Sequence, residues 1–375
     1  MDNIKKLMDE ILKEASSLPP VSLKTATAYH TNSPDMVRYV NSVLTTTPDI
    51  YTIIGNNPLS IMYDNHKHHA AFMGTVFNIS NYELLARTVP WVYRTYHAHG
   101  FRFDYFLLEL NGWILANNEY LDKKDAASIN VIYEWMTGRH TDMILIAMSD
   151  MNCPLPISDK WLELKNAFLS ALLDGNNHKA LALAQESVKT DSELENFYLH
   201  IIQPAMYEIG MMWENAEISV AQEHLASAIV GRVIAGMSMV DAKYGQIKNR
   251  GKAIVTASPN EFHEIGAWMI SDTLEQDGWD VRYLGANMPK DDLIMFIRLF
   301  IPDLLAISVT MPFNITYVRD VIAQIKSDNE LRAIKVMVGG RVFNETPKLW
   351  ESTGADGFAS NLEEAKHIAE KLVTS

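Results

Sequence analysis

The chain has 375 residues, 48% of them hydrophobic, enough for two or three domains with sizeable cores. Its net charge of −14 argues against a broad nucleic-acid surface or an anionic membrane face, and its single cysteine, Cys153, excludes a disulfide framework and fits a reducing cytosol. The first residues lead into an amphipathic helix in place of a signal peptide, and no uncharged apolar run approaches bilayer length, so a cytoplasmic protein is expected.

Ile4, Leu7, Met8, Ile11, Leu12 and Ala15 share one stripe, which predicts a helix over 3–17 ended by Pro19-Pro20. From about 34 to 150 the spacing is helical throughout. Ser33-Pro34 reads as an N-cap and first-turn proline, and further helices are expected near 59–78, 81–98, 103–120 and 124–148. Ser80 and Glu83 have capping-box spacing, and Gly100 is a stop signal. Residues 1–150 therefore form an all-α domain of five or six helices, rich in aromatic residues. It carries His66, His68 and His69, then His97 and His99. Either these histidines lie on solvated helix faces, or one of them faces an aromatic-lined pocket and touches a flat cofactor. In size and composition, without a motif matched residue by residue, the domain is similar to globin-like sensor domains, including those that hold haem or a bilin.

The segment Asn152-Cys153-Pro154-Leu155-Pro156-Ile157-Ser158-Asp159 reads as a linker and domain boundary. A helix opening near Trp161 is stopped by Asp174-Gly175-Asn176-Asn177, and helices follow at about 177–188, 191–212 and 217–240. That predicts a four-helix bundle over 160–245. From Gly251 onward short apolar runs alternate with helical patterns. Strands are expected at 252–257, 281–284, 304–309, 335–338 and 357–359, with helices at 262–277, 290–299, 314–328, 345–352 and 362–373. Residues 250–375 should thus be a doubly wound, five-stranded parallel α/β domain of Rossmann-like type, in which ligands bind beyond the carboxyl ends of the strands. His263, in the loop after the first strand, would stand in that crevice beside Gly266.

Glu261-x-His263-x-x-Gly266 resembles the Asp-x-His-x-x-Gly signature of cobalamin-binding domains, with Glu261 where that family has aspartate. Ser308-Val309-Thr310 and Gly339-Gly340 are similar to the family's next two elements, and Gly354-Ala355-Asp356-Gly357-Phe358 to its closing strand and turn. The resemblance implies that His263 is the cobalt ligand on the lower face of cobalamin, with Glu261 as acceptor for its other ring nitrogen. It implies that Ser308 and Thr310 bond the displaced nucleotide tail, and that Gly339 and Gly340 leave room for it. In the bundle, Trp213 followed after nine residues by Glu223-His224 resembles CarH-type light-responsive adenosylcobalamin regulators. That likeness implies that Trp213 packs beside the adenosyl group while Glu223 and His224 line its pocket. Adjacent helix positions point about 100° apart, so at most one of that pair faces a shared pocket squarely. The family's tryptophan is followed by a cobalt-binding histidine, whereas this chain has Glu214 there, and no basic helix-turn-helix precedes the bundle.

The resemblance implies a non-enzymatic photoreceptor that binds adenosylcobalamin base-off and His-on and signals to a protein partner or a second copy after light breaks the cobalt–carbon bond. It implies no direct DNA binding and no membrane association. It extends to the photocobilins, in which a globin-like domain holds biliverdin or another tetrapyrrole as a second chromophore. Two alternatives stand beside it: a corrinoid methyl carrier of a methyltransferase system, and a light-independent cobalamin sensor.

Overall fold

A computed structural model describes residues 2–149, 155–238, 250–346 and 348–374. Asn152, Cys153 and Pro154 of the expected linker, the end of the last bundle helix beyond 238, and Pro347 lie outside the described residues. The chain divides into two compact units, one of residues 1–151 with 214–216, the other of 152–213 with 217–375.

The first unit is all helical: α1 (Asp2–Ala15), α2 (Leu23–Thr45), α3 (Ile50–Ile53), α4 (Leu59–Ile79), α5 (Tyr82–Ala98), α6 (Asp104–Tyr120), α7 (Lys123–Gly138) and α8 (His140–Ala147). Among the described residues that is eight helices in place of the expected five or six, for identifiable reasons. Ser22, not Ser33, caps α2, accepting from Thr25 N, so Pro34 falls inside the helix. Proline cannot donate to the carbonyl of His30, and the Ser33 hydroxyl takes its place at 2.8 Å. Ser80 adopts the left-handed conformation that ends α4, which leaves Asn81 as the cap of α5 with its side chain accepting from Leu84 N. Glu83 meanwhile pairs with Arg87 at 2.8 Å. The expected helix at 124–148 breaks at Arg139, which serves α7 as C-cap and α8 as N-cap. Gly100, with φ +98°, follows the C-cap of α5 as its stop signal predicts. Helix α2 packs against α4 and α6 around Tyr29, Phe77, Tyr105, Trp113 and Tyr133, all fully buried.

In the second unit, α9 (Asp159–Leu173), α10 (Asn177–Ser187), the run α11 (Asp191–Phe197) to α12 (Gln203–Glu214), and α13 (Val220–Ser238) form the bundle. A π-helical turn, Tyr198–Ile202, joins α11 to α12. Ser219 opens α13 with reciprocal bonds to Gln222, its hydroxyl accepting from Gln222 N at 3.3 Å and its own N–H reaching Gln222 Oε1 at 2.9 Å. That cap sets the start three residues later than the periodicity suggests.

The sheet then runs β1 (Lys252–Ala257), α14 (Ile265–Asp277), β2 (Asp280–Tyr283), α15 (Lys290–Phe300), β3 (Leu304–Ser308), α16 (Ile315–Ser327), β4 (Lys335–Gly339), α17 (Arg341–Glu345), β5 (Gly357–Ala359) and α18 (Leu362–Thr374). All four pairings are parallel and the order is β2-β1-β3-β4-β5, the doubly wound pattern in which the switch point lies between β1 and β3. The expected helix at 345–352 is instead α17 and a 3₁₀ turn at Leu349–Thr353. Thr346 stands between them in an extended conformation (φ −123°, ψ 101°), as a residue before proline prefers. The bundle lies on α14 and α18: Met269 and Leu362 are part of its buried cluster, and the buried Tyr198 hydroxyl donates to Asp272 at 2.5 Å.

Candidate functional site

The register of the sheet gathers one row of residues at its carboxyl edge, Ala257 beside Ser308, Ser308 beside Gly339, and Gly339 beside Ala359. The loop after β1 crosses this edge at the switch point. It carries Glu261 and His263, and α14 begins only at Ile265, three residues later than expected. The delay follows from what Glu261 does. Its carboxylate is buried, and Oε2 accepts from Thr310 N (2.9 Å), Met311 N (2.8 Å) and Asn314 Nδ2 (3.1 Å), all at the carboxyl end of β3. These bonds pull the backbone of the loop down to the sheet and hold it out of the helix.

The other oxygen, Oε1, lies 2.5 Å from His263 Nδ1 and 3.3 Å from the His263 backbone N–H. Burial pushes the Glu261 carboxyl up, but the bond and charge of His263, with the amides of Met311 and Thr310, outweigh it and hold Glu261 below the usual carboxylate range. An ionised Glu261 only accepts, so it holds a proton on Nδ1 and leaves Nε2 as the ring nitrogen free of this bond. The His263 side chain is 58% exposed while Glu261 is 1% exposed. The result is a fixed imidazole on a buried anionic base. Phe262 beside it is 73% exposed.

The surrounding glycines divide by what requires them. Gly340 has φ +107° and a Cβ there would sit 2.2 Å from Val309 O, while one on Gly339 would meet Ala359 O at 2.9 Å. The chain's own packing therefore demands both. A Cβ on Gly266 would meet only Ser308 Oγ, at an ordinary 3.8 Å. The fold does not need glycine at 266, where a side chain would have room. Thr310 serves through its backbone, and Ser308 is half-buried at the end of β3.

Asn314 belongs to none of the sequence motifs, yet it is fully buried and bonds both Glu261 and, at 3.3 Å, Asn260 O. Its position at a helix start, immediately after a strand and loop, marks it as a cap candidate; its side chain turns to the carboxylate instead. Asn287, after β2, ties down the same loop by accepting from Asn260 N and donating its own N–H to Glu261 O.

In the bundle, Trp213 is half-buried against the core cluster and Glu214 is buried. Glu223 and His224, although adjacent, bond each other at 2.5 Å, and Glu223 also accepts from Ser227 Oγ at 2.8 Å. The His224 side chain is 75% exposed.

In the helical unit the expectation of solvated histidines fails for His66 and His69. His66 is fully buried and its Nδ1 meets Asn41 Oδ1 at 2.6 Å. His69 stacks on Trp113 and its Nε2 meets the Tyr133 hydroxyl at 3.1 Å. Helix α4 turns this side to a core of tyrosines, so their burial follows from the face they occupy. His97 is exposed and bonds Phe101 O at 2.9 Å. Among the described residues, no group of three or more His, Cys, Asp or Glu side chains is placed to hold a metal ion, and no helix is long and apolar enough to cross a membrane.

Residues 251–367 match a family model described as a B12 binding domain, and residues 164–236 match a second model of that description. The chain is 25% identical over 193 residues to dimethylamine corrinoid protein 3 of Methanosarcina acetivorans, covering 51% of this chain and 88% of that protein. It is 24% identical over 215 residues to dimethylamine corrinoid protein 1 of Methanosarcina mazei, covering 56% and 94%. Among solved structures, the monomethylamine corrinoid protein of Methanosarcina barkeri aligns with a TM-score of 0.49 at 20% identity, over 56% of this chain and 99% of that one.

Proposed function

We propose that this chain, which carries B12-binding domains at residues 164–236 and 251–367, holds a corrinoid against the carboxyl edge of its sheet with His263 Nε2 as the lower ligand to cobalt. One observation carries the reading: a half-exposed imidazole is held in a single orientation by a buried, multiply bonded carboxylate. A lone histidine does not hold a metal ion by itself. What fits it is a metal that brings its own equatorial ligands, as a corrin does. When bound, the corrinoid supplies a cobalt centre that takes up and releases an alkyl group. Glu261 keeps the proton on Nδ1 and fixes the ring; Ser308 and Thr310, at the carboxyl end of β3, would bond the nucleotide tail.

The names of the relatives favour a carrier role, in which the bound corrinoid passes a methyl group to or from a methyltransferase partner, and the chain itself is not the catalyst. The exposure of His224, and its pairing with Glu223, suit an open upper face. A second reading rests on the half-buried Trp213 with Glu223-His224 on the following helix: an adenosylcobalamin photoreceptor, with a bilin or other tetrapyrrole in residues 1–150. The Trp113, Tyr133 and His69 cluster there is aromatic and buried, which suits a flat ligand only after rearrangement.

The test is the absorption spectrum of the full chain with methylcobalamin and with adenosylcobalamin, in darkness and after green illumination, alongside His263→Ala. Base-off, His-on spectra that vanish in the variant support corrinoid binding through His263. Preference for the methyl form supports the carrier, and a preference for the adenosyl form with a light-driven change supports the photoreceptor. Spectra unchanged from free cofactor would overturn both.

A further inference from the structure

The loop after β1 carries a second carboxylate, one that plays no part in holding His263. Glu264 follows the histidine directly and takes the N-cap position of α14, yet its side chain makes no capping bond. It turns to β2 instead. The Tyr283 hydroxyl lies 3.3 Å from Glu264 Oε2 and 3.4 Å from Glu264 O, and the Tyr283 ring is itself stacked on Trp268 with centroids 5.7 Å apart. Gly285, just past β2, leaves room for this carboxylate, since a Cβ there would stand 3.3 Å from Glu264 Oε2. Gly285 O accepts from Ala257 N at 3.0 Å, so Gly285 extends by one strand the row of residues at the carboxyl edge of the sheet. The Glu264 carboxylate therefore stands at the β2 end of that edge, with Ser308 and Gly339 on the other side of β1.

The two carboxylates on either side of His263 differ in what satisfies them. Glu261 is buried and accepts from Thr310 N, Met311 N, Asn314 Nδ2 and the imidazole. Glu264 is half-exposed, and among the described residues its carboxylate meets one donor, the Tyr283 hydroxyl, and no cation within 4 Å. An ionised carboxylate has several acceptor sites and no donor, so it attracts N–H groups and repels a second carboxylate.

A corrin is rimmed with carboxamide side chains, whose N–H groups suit such an acceptor, and incompletely amidated corrinoids carry carboxylates in their place. We infer that Glu264 accepts from a peripheral carboxamide of the ring and thereby selects fully amidated corrinoids against those with a free carboxylate. This rests on the corrinoid reading above, with His263 as the lower ligand. Tyr283 holds the Glu264 carboxylate in place at the edge, and the neighbouring loop residue His263 is held by Glu261, so both contacts to the cofactor come from one pinned segment. Attraction to the amide and repulsion of the acid act in the same direction, and a specificity difference is the sum of the two. An apolar side chain at 264 would supply neither.

Absorption-detected binding curves of the full chain with methylcobalamin, and with its monocarboxylates in which one ring propionamide is hydrolysed, test this. The wild type is expected to bind at least one monocarboxylate about ten- to a hundredfold more weakly than methylcobalamin. Glu264→Gln keeps the shape without the charge; it is expected to bind methylcobalamin several-fold more weakly than wild type and that monocarboxylate about as well as methylcobalamin. The readout is a ratio of two affinities in one protein, which loss of fold does not imitate. Glu330→Gln removes a charge from the loop before β4, at the opposite edge of the sheet, and is expected to leave the ratio unchanged. A ratio that Glu330→Gln relaxes as far as Glu264→Gln does would place the cause in the net charge of −14 and overturn the role of Glu264. Equal wild-type affinity for methylcobalamin and every monocarboxylate, or discrimination that survives Glu264→Gln, would overturn that role and leave the His263 reading standing. Absence of any methylcobalamin binding that depends on His263 would overturn both.

Discussion

Two of the histidine–glutamate pairs among the described residues, one in each unit, are electrostatic opposites. In the helical unit, His69 Nδ1 lies 3.7 Å from Glu109 Oε1, with side-chain exposures of 12% and 4%. In the sheet unit, His263 lies 2.5 Å from Glu261, with exposures of 58% and 1%. Burial pushes Glu109 up to about 7, against weak lowering by side-chain bonds from Trp113 and Asn65. Burial, with some help from His66, pushes His69 down to about 3. His69 is therefore neutral at pH 7, and Glu109 holds its proton until the pH approaches 7. Glu261 is just as buried, but the half-solvated His263, with two backbone amides, holds it below the usual range, so it is an anion. A buried carboxyl is a neutral packing group or a fixed charge according to its donors. The first arrangement closes a core; the second leaves a ring nitrogen at the surface.

The largest consequence lies in the closed pair. Glu109 has its folded value raised from 4.5 to about 7, so the folded state holds a proton that the unfolded state has lost between those values. The stability that Glu109 contributes is full below about 4.5 and is lost as pH rises towards 7, by roughly 3 kcal/mol. Against Glu109→Gln, which cannot ionise, the wild type should lose that amount across this window. Denaturant unfolding at a series of pH values measures it, and parallel curves would show that Glu109 is not the neutral acid described. In the open pair the opposite holds. Glu261→Gln places an amide N–H where an acceptor is needed and should weaken corrinoid affinity about ten- to hundredfold at neutral pH, read by spectral titration. Unchanged affinity would mean that the carboxylate does not set the tautomer of His263.

Smaller still is Tyr133→Phe. It removes the hydroxyl that meets His69 Nε2 at 3.1 Å and Tyr29 Oη at 3.0 Å, leaving a buried ring nitrogen without a partner. The expected cost is about 1.5 kcal/mol of unfolding free energy, with cofactor titration unaffected. A change in the titration would break the separation between the two pairs.

The open pair was legible through the resemblance of Glu261-x-His263-x-x-Gly266 to the cobalamin-binding signature, since a histidine in a loop after an apolar run is a weak sign by itself, and the five strands because each is a short apolar segment between polar turns. What periodicity could not supply was context from distant residues. Pro34 continues α2 because Ser33 satisfies the carbonyl that proline leaves behind and the helix is buried on α4 and α6. Ser80 and Asn81 are both good caps, and only the left-handed backbone of Ser80 decides between them. His66 and His69 look solvated among His-Lys-His-His until α4 is seen to face Tyr105, Trp113 and Tyr133.

Asn314 is the sharpest case, because its partner Glu261 is 53 residues away in sequence. It also gives the finest test of the comparison. If backbone amides are what make Glu261 an anion, then Asn314→Ala should matter little. Thr310 N and Met311 N stay in place, and the buried Asn314 Oδ1, which has no partner among the described residues, disappears with the side chain. Affinity should fall only about three- to tenfold, near 1 kcal/mol for one bond to a charged acceptor. Asn314→Asp should do far more, since a second carboxylate would lie beside the first in a site that water does not reach. That loss should ease as pH falls and the new acid takes up a proton. If Asn314→Ala instead matches Glu261→Gln, the main-chain donors are insufficient by themselves. The contrast between the two pairs would then rest on this one buried amide.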